Sequence, residues 1–224
     1  MPRFNRMQVL NAVLDGGIVP IFHHPDLEVM KEAVRACDQA GVRVFELTNR
    51  GDGAHEVFSG LEKFCARELP RMILGAGTVV DSGMASLYIN SGASFVVSPV
   101  LNPETARTCN RRKVPHVPGV ATLTEISQAE ELGCEVVKLF PAGEIGGPSF
   151  LKAIRGPCPW TSVMASGGVE LTEESLGEWF GAGAACVAVG GSLFSRETIQ
   201  KRDYAGITAK LAAGAAIVRK LKGK

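Results

Sequence analysis

No Cys-x-x-Cys pair occurs in this sequence. The six cysteines, Cys37, Cys65, Cys109, Cys134, Cys158 and Cys186, stand singly, which removes the usual spacing of a structural zinc site or a dithiol redox centre and leaves reduced, mostly packed thiols as the economical reading. An excess of one charge is missing too. Lys and Arg number 24 against 23 Asp and Glu, a net +1, so there is no electrostatic case for nucleic acid or an anionic membrane as partner. The two local basic runs, Arg111-Arg112-Lys113 and Arg219-Lys220-Lys222-Lys224, fall near expected helix C-termini, where cations complement the helix dipole, and read as solvated faces. No apolar run reaches the ~18 residues of a membrane span. The apolar stretch after Arg3 and Arg6 is broken by Asn11 and Asp15, unlike a secretory signal, so a cytoplasmic location is expected. His23 and His24 are adjacent, but strand neighbours point to opposite faces and no third ligand follows at metal spacing, so no metal is expected. The dinucleotide fingerprint is absent as well: after Gly75-Ala76-Gly77 the third glycine would fall at Val80, and no glycine run leads into a Gly-Lys-Ser/Thr phosphate loop.

What is present is a repeating alternation. With 46% hydrophobic and 21% charged residues, the chain has ample material for a core. A short leading helix is expected over Asn5 to Leu14, stopping at Gly16-Gly17. Apolar strand-length runs follow at Ile18–Phe22, Val42–Leu47, Met72–Gly75, Phe95–Ser98, His116–Gly119, Glu135–Pro141, Ser162–Ala165 and Ala185–Val189. Helical spacing separates them: from Asp26 to Gly41, through Val57, Leu61 and Phe64, Asp81 to Asn90, Asn102 to Arg112, from the capping-box pair Thr122 and Glu125, Ser149 to Ile154, from Thr172, and through Tyr204, Ile207, Leu211, Val218 and Leu221. Eight strands alternating with eight helices, with no linker or low-complexity break, predict a (β/α)8 TIM barrel in one domain over 1–224; 224 residues is short of the typical ~250 but sufficient. The rival, a doubly wound open sheet, lacks its fingerprint.

One charged residue breaks an apolar run where a buried strand is expected: Lys138 in Glu135-Val136-Val137-Lys138-Leu139-Phe140-Pro141. Alternation puts Val136, Lys138 and Phe140 on one face and Val137 and Leu139 on the other. An ammonium in dry surroundings loses hydration and gives up its proton more readily, and the free amine attacks carbonyl carbon; a paired core lysine or one snorkelling to water would serve structure alone. The second strand ends Val44-Phe45-Glu46-Leu47-Thr48-Asn49-Arg50, so Val44, Glu46, Thr48 and Arg50 share a face. If that face points inward, Glu46 and Lys138 converge as nucleophile and proton shuttle, or as a structural ion pair. Small residues end the third strand at Gly75-Ala76-Gly77-Thr78, where they admit a ligand to the backbone or make a tight turn. Gly167-Gly168 and Gly190-Gly191-Ser192 end the last two strands, the position from which free N–H groups in this fold face a phosphate.

Taken together, Glu46-Leu-Thr-Asn-Arg50, Gly75-Ala-Gly-Thr78-Val, Ser98-Pro99, Val117-Pro-Gly-Val120, Lys138-Leu-Phe140-Pro-Ala142, Gly167-Gly168 and Gly190-Gly191-Ser192 resemble the 2-keto-3-deoxy-6-phosphogluconate (KDPG) / 4-hydroxy-2-oxoglutarate (KHG) aldolases, in order from about Ile18 to Ser192. The resemblance implies a class I, Schiff-base aldolase (an aldehyde-lyase), a homotrimer needing neither metal nor other cofactor, acting on a small 2-keto acid or sugar-acid phosphate. It implies Lys138 as the Schiff-base lysine and Glu46 as general acid/base. By the same resemblance Arg50 and Thr78 contact the pyruvate-derived carboxylate, Pro99 and Phe140 shape that pocket, and Gly167, Gly168, Gly190, Gly191 and Ser192 hold the phosphate.

Two departures from the pattern bear on substrate. Gly51-Asp52-Gly53-Ala54 follows Arg50 where threonine is common in the family, and Ser166 stands where threonine commonly precedes Gly-Gly. Relatives acting on 2-keto-3-deoxy-6-phosphogalactonate tend to lack the arginine, so Arg50 favours the gluconate or hydroxyoxoglutarate branch. An aldolase for another 2-keto-3-deoxy sugar acid, a non-covalent phosphate-binding isomerase or synthase on the same barrel, and a sensor of phosphorylated sugar acids are the competing readings.

Overall fold

In the computed structural model, which describes residues 2–223, the strands are β1 (Ile18–Phe22), β2 (Val44–Thr48), β3 (Ile73–Gly77), β4 (Phe95–Val97), β5 (His116–Val117), β6 (Gly119–Val120), β7 (Val137–Leu139), β8 (Val163–Ser166) and β9 (Cys186–Val189). The helices are α1 (Arg6–Gly16), α2 (Leu27–Gln39), α3 (Ala54–Glu68), α4 (Ser82–Asn90), α5 (Pro103–Arg111), α6 (Leu123–Glu131), α7 (Gly147–Arg155), α8 (Glu173–Gly181), α9 (Arg196–Gln200) and α10 (Tyr204–Leu221). Every strand pairing is parallel, and β1 pairs with both β2 and β9, so the sheet curls round on itself as a (β/α)8 barrel. The expected fifth strand is divided in two. β5 pairs with β4 and β6 pairs with β7, and between them lies Pro118, which has no N–H to give to a ladder. Its carbonyl still accepts from Lys138 N at 2.8 Å. Counted as one stave, the two fragments restore the eight expected.

Two separate apolar clusters follow from the alternation. Outward-facing residues such as Phe45, Leu47, Leu74, Val96 and Leu139 pack against the helical layer through Met30, Phe58, Leu61, Trp179 and Leu211. Inward-facing Val19, Val44, Ile73, Phe95, Val97, Val117, Val136, Met164, Cys186 and Ala188 fill the barrel together with Val9, Leu10 and Val13 of α1. The leading helix is therefore a plug for the N-terminal end of the barrel. A capping box between Asn5 and Gln8 starts it, Gly17 in the left-handed region stops it, and Arg3–Glu62 at 2.6 Å and Arg6–Glu135 at 2.7 Å tie its start to the underside. A cavity of about 650 Å³ remains beside this helix, lined by Phe4, Arg43, Val44 and Ile73, while Glu46 and Lys138 lie farther along their strands, toward the C-terminal ends.

The expected caps form: Asp26 and Thr122, the latter boxed with Glu125, each accept a backbone N–H of the first turn, and so do Asp81, Asn102 and Thr172 at three further expected helix starts. α7 is longer than the expected Ser149 to Ile154, and the five-residue α9 was not expected at all. No disulfide forms: five cysteines are buried and Cys158 is half-buried. Among the described residues no helix is long and apolar enough to cross a membrane.

Candidate active site

Strand register places the two charged interior residues. Glu46 stands beside Ile21 of β1 and Gly75 of β3, and Lys138 beside Gly119 of β6 and Met164 of β8. Both share the inward parity of Val44 and Val136, one pleat nearer the open end. Glu46 is 0% exposed and Lys138 6%. The Phe140 ring, two residues on along the same face, lies 5.0 Å from Lys138 Nζ, a cation–π distance that holds the amine against a wall without tying it to an acceptor.

Neither carboxylate oxygen of Glu46 has a hydrogen-bond partner among the described residues. Burial pushes its pKa above the usual carboxylate range, and the nearby charges of Lys138 and Arg50 pull the other way without prevailing. Desolvating a carboxylate costs several kcal/mol, and a charge that is near but not hydrogen-bonded recovers only part of that. A carboxyl poised to take and give a proton, with its oxygens unoccupied, is what a general acid/base needs.

The sequence leaves the glycines of β3 open between admitting a ligand and making a tight turn; the structure shows what adjoins them. A Cβ on Gly77 would lie 1.7 Å from Glu46 Oε1, and one on Gly75 would lie 2.3 Å from the Phe95 ring. Neighbouring side chains, rather than a ligand, occupy the space these residues leave. Thr78, just past the strand, has φ 59°, a left-handed conformation that is costly for a β-branched residue and that concentrates at functional sites. Pro99 is half-buried, with its carbonyl against Gly119.

Above this centre a cavity of about 570 Å³ opens at the ends of β1, β7, β8 and β9, with Arg50, Phe140, Ser166, Gly167, Gly168, Gly190, Gly191 and Ser192 in its wall. Lys138 and Glu46 are buried at the level beneath and do not line it, nor do Thr78 and Pro99. Gly167 and Gly168 have φ 90° and 77°, a backbone that glycine adopts without strain. The backbone N–H groups of Gly167, Gly168, Gly191 and Ser192 donate to no other described residue, which leaves them for an anion.

Several lining groups were not anticipated. Glu170, Glu174 and Glu178 stand on the outer rim and oppose an anion at long range. Ile21 joins this cavity to a smaller one of about 230 Å³ that also holds His23 and Thr48; His23 had been weighed only as a metal ligand. His116, on β5, faces the helical layer: Nε2 lies 2.9 Å from Ser98 Oγ and Nδ1 3.8 Å from Cys134 Sγ. Burial holds its pKa down at about 4, so it is a neutral core group away from the cavity. Among the described residues no cluster of His, Cys, Asp and Glu has metal-site geometry.

Residues 9–210 match the family model described as KDPG and KHG aldolase. The chain is 34% identical to the 2-dehydro-3-deoxy-phosphogluconate aldolase of Treponema pallidum over 86% of its own length and 89% of that protein. It is 30% identical to the KHG/KDPG aldolase of Escherichia coli K12 over 86% and 88% respectively. A Legionella pneumophila KDPG aldolase crystallised with pyruvate captured as a covalent carbinolamine superposes with a TM-score of 0.79 at 26% identity, covering 90% of this chain and 96% of that one.

Proposed function

This chain belongs to the KDPG and KHG aldolase family, and from that premise we propose that it is a class I aldolase in which Lys138 forms the Schiff base and Glu46 carries the protons. The substrates are 2-keto-3-deoxy-6-phosphogluconate, cleaved to pyruvate and D-glyceraldehyde 3-phosphate, and 4-hydroxy-2-oxoglutarate, cleaved to pyruvate and glyoxylate. The observation that carries this reading is the fully buried Glu46, without a hydrogen-bond partner among the described residues and facing the same interior as Lys138. An ion pair built for structure would bind those oxygens.

The chemistry follows from the residue types. The free amine of Lys138 adds to the C2 ketone, giving a carbinolamine; Glu46 in its acid form protonates the departing hydroxyl, and water leaves with formation of the iminium. The protonated imine then draws the C3–C4 electron pair as Glu46, now a carboxylate, takes the C4 hydroxyl proton, so the aldehyde leaves and an enamine remains. Protonation at C3 and hydrolysis return pyruvate and the amine. Covalent pyruvate in the Legionella relative supports the same order of events here. Arg50, whose charge is felt at both Glu46 and His23, and Thr78 would orient the C1 carboxylate, with Pro99 and Phe140 walling the pocket. The free N–H groups of Gly167, Gly168, Gly191 and Ser192, next to Gly190, would take the phosphate.

The working unit is a homotrimer in the cytoplasm. Exposed Val80, Val100 and Leu123 support the assembly: they follow the C-terminal ends of β3, β4 and β6 on one side of the barrel rim, where a neighbouring subunit would cover them. Coupled detection of pyruvate release from each substrate tests the activity, and light scattering after size-exclusion chromatography tests the trimer. A folded protein that releases pyruvate from neither substrate overturns the reading.

A further inference from the structure

β1 ends at Phe22, and its inward face, set by Val19 and Ile21, continues to His23. Of the adjacent histidines, His24 is already engaged: its Nδ1 accepts the backbone N–H of Asp26 at 3.1 Å, within the turn that leads to α2. His23 is not. Its Nδ1 is buried without a hydrogen-bond partner among the described residues, and its Nε2 faces Gly51, on which a Cβ would lie 3.5 Å away. The ring walls the smaller cavity together with Ile21, Thr48, Arg50, Gly190 and Gly191. Ile21, Arg50, Gly190 and Gly191 also line the larger one, so the two are compartments of one mouth. The smaller compartment shares Gly190 and Gly191, the β9 side of the glycine cradle, and lacks Phe140 and Ser166.

On the reading that Lys138 holds C2 and the glycine N–H groups hold the phosphate, this compartment adjoins the phosphate-bearing end through the Gly190 and Gly191 that it shares with the larger cavity. We propose that His23 is a specificity-determining residue that turns its unpartnered ring nitrogen to the phosphate-bearing end of the six-carbon substrate, beside the N–H groups of Gly191 and Ser192. Charge supports the role. Burial, His24 and Arg50 all hold the His23 pKa below its ordinary value, so the ring is neutral at neutral pH and offers one N–H donor and one acceptor. Arg50 is given to the C1 carboxylate, and His23 adds a directional hydrogen bond at the phosphate-bearing end. 4-Hydroxy-2-oxoglutarate carries no phosphate and ends one carbon sooner, in a C5 carboxylate, so the contact separates the two substrates.

The test compares His23→Ala and His23→Asn with the wild type on both substrates. In the alanine variant the ratio of kcat/KM for the phosphorylated substrate over that for 4-hydroxy-2-oxoglutarate falls about tenfold, mainly through KM, the size of one hydrogen bond to a charged group. His23→Asn restores most of the ratio, because its amide stands near the position of Nδ1. Equal losses on both substrates would make His23 a structural prop for β1, and an unchanged ratio would remove it from the site; either result overturns the proposal. Failure of the underlying reading looks different: the wild type itself would then trap no pyruvate on Lys138 under borohydride.

Discussion

Gly77 on β3 is a glycine because Glu46 on β2 is a glutamate: the carboxylate lies across the neighbouring strand, where a Cβ on residue 77 would come within 1.7 Å of Oε1. The two residues are close to register neighbours, since Thr48 pairs with Gly77 and Glu46 with Gly75. The position of Glu46, the proposed proton shuttle, is thereby set by an absent side chain as much as by a present one.

Gly77→Ala is expected to lower kcat about a hundredfold by shifting Glu46 by an ångström or so, while Gly75→Ala, which meets the Phe95 ring instead, is expected to cost about 1–3 kcal/mol of stability by overpacking. Steady-state rates and thermal melts on both variants check this. A Gly77→Ala enzyme with wild-type kcat contradicts the placement of Glu46.

Glu46→Gln separates activity from stability. Its carboxyl pKa is raised by burial, so above about pH 4.5, the ordinary value, the folded state holds a proton that the unfolded state has released, and stability falls as pH rises until the folded value is passed. Glutamine removes that slope. The variant is expected to melt higher than the wild type at neutral pH and to turn over about 10² to 10⁴ times more slowly. Melts across a pH series check the first effect and pyruvate release the second.

The faces of β2 and β7 were legible in the sequence because strand alternation is rigid: once Val44 and Val136 are assigned inward, Glu46 and Lys138 must follow. Caps such as Asp26 and the Thr122 and Glu125 pair were legible because a short side chain satisfies its own local N–H groups. The division of the fifth strand at Pro118 was not, since a proline also occurs at strand starts and edges and only the pairing shows which side of it each neighbour uses. The use of Gly75 and Gly77 was likewise hidden, because a glycine that admits a ligand and one that admits a neighbour's side chain read the same. His23 and the carboxylates of α8 reach the cavity through tertiary placement, for which their local sequence carries no signal.

His116 predicts acid sensitivity of the fold. Its pKa is about 4 when folded against 6.5 for the free group, so the unfolded state binds more protons between those values, and its contribution, complete above pH 6.5, is lost as pH falls toward 4. The span corresponds to about 3 kcal/mol at most. Glu46 tilts the opposite way over part of this range, so the comparison is best made within one background. His116→Gln is expected to flatten the fall in urea-unfolding stability between pH 7 and 4.5; an equally steep fall in the variant would assign it to other groups.

Glu174 on the cavity rim is expected to repel the phosphorylated substrate weakly. Glu174→Gln should lower KM for that substrate by about two- to threefold at low ionic strength, with the difference shrinking as salt is added. Substrate titrations at two salt concentrations measure it. A KM unaffected at low salt would mean that the phosphate seats too deep among the glycine N–H groups to feel the rim.

The most direct test of the account is to treat the protein with pyruvate and borohydride, digest it and locate the adduct by mass spectrometry. The account predicts a reduced pyruvyl group on the peptide carrying Lys138, absent from a folded Lys138→Met variant. No adduct in folded wild-type protein, or an adduct on another lysine, would contradict it.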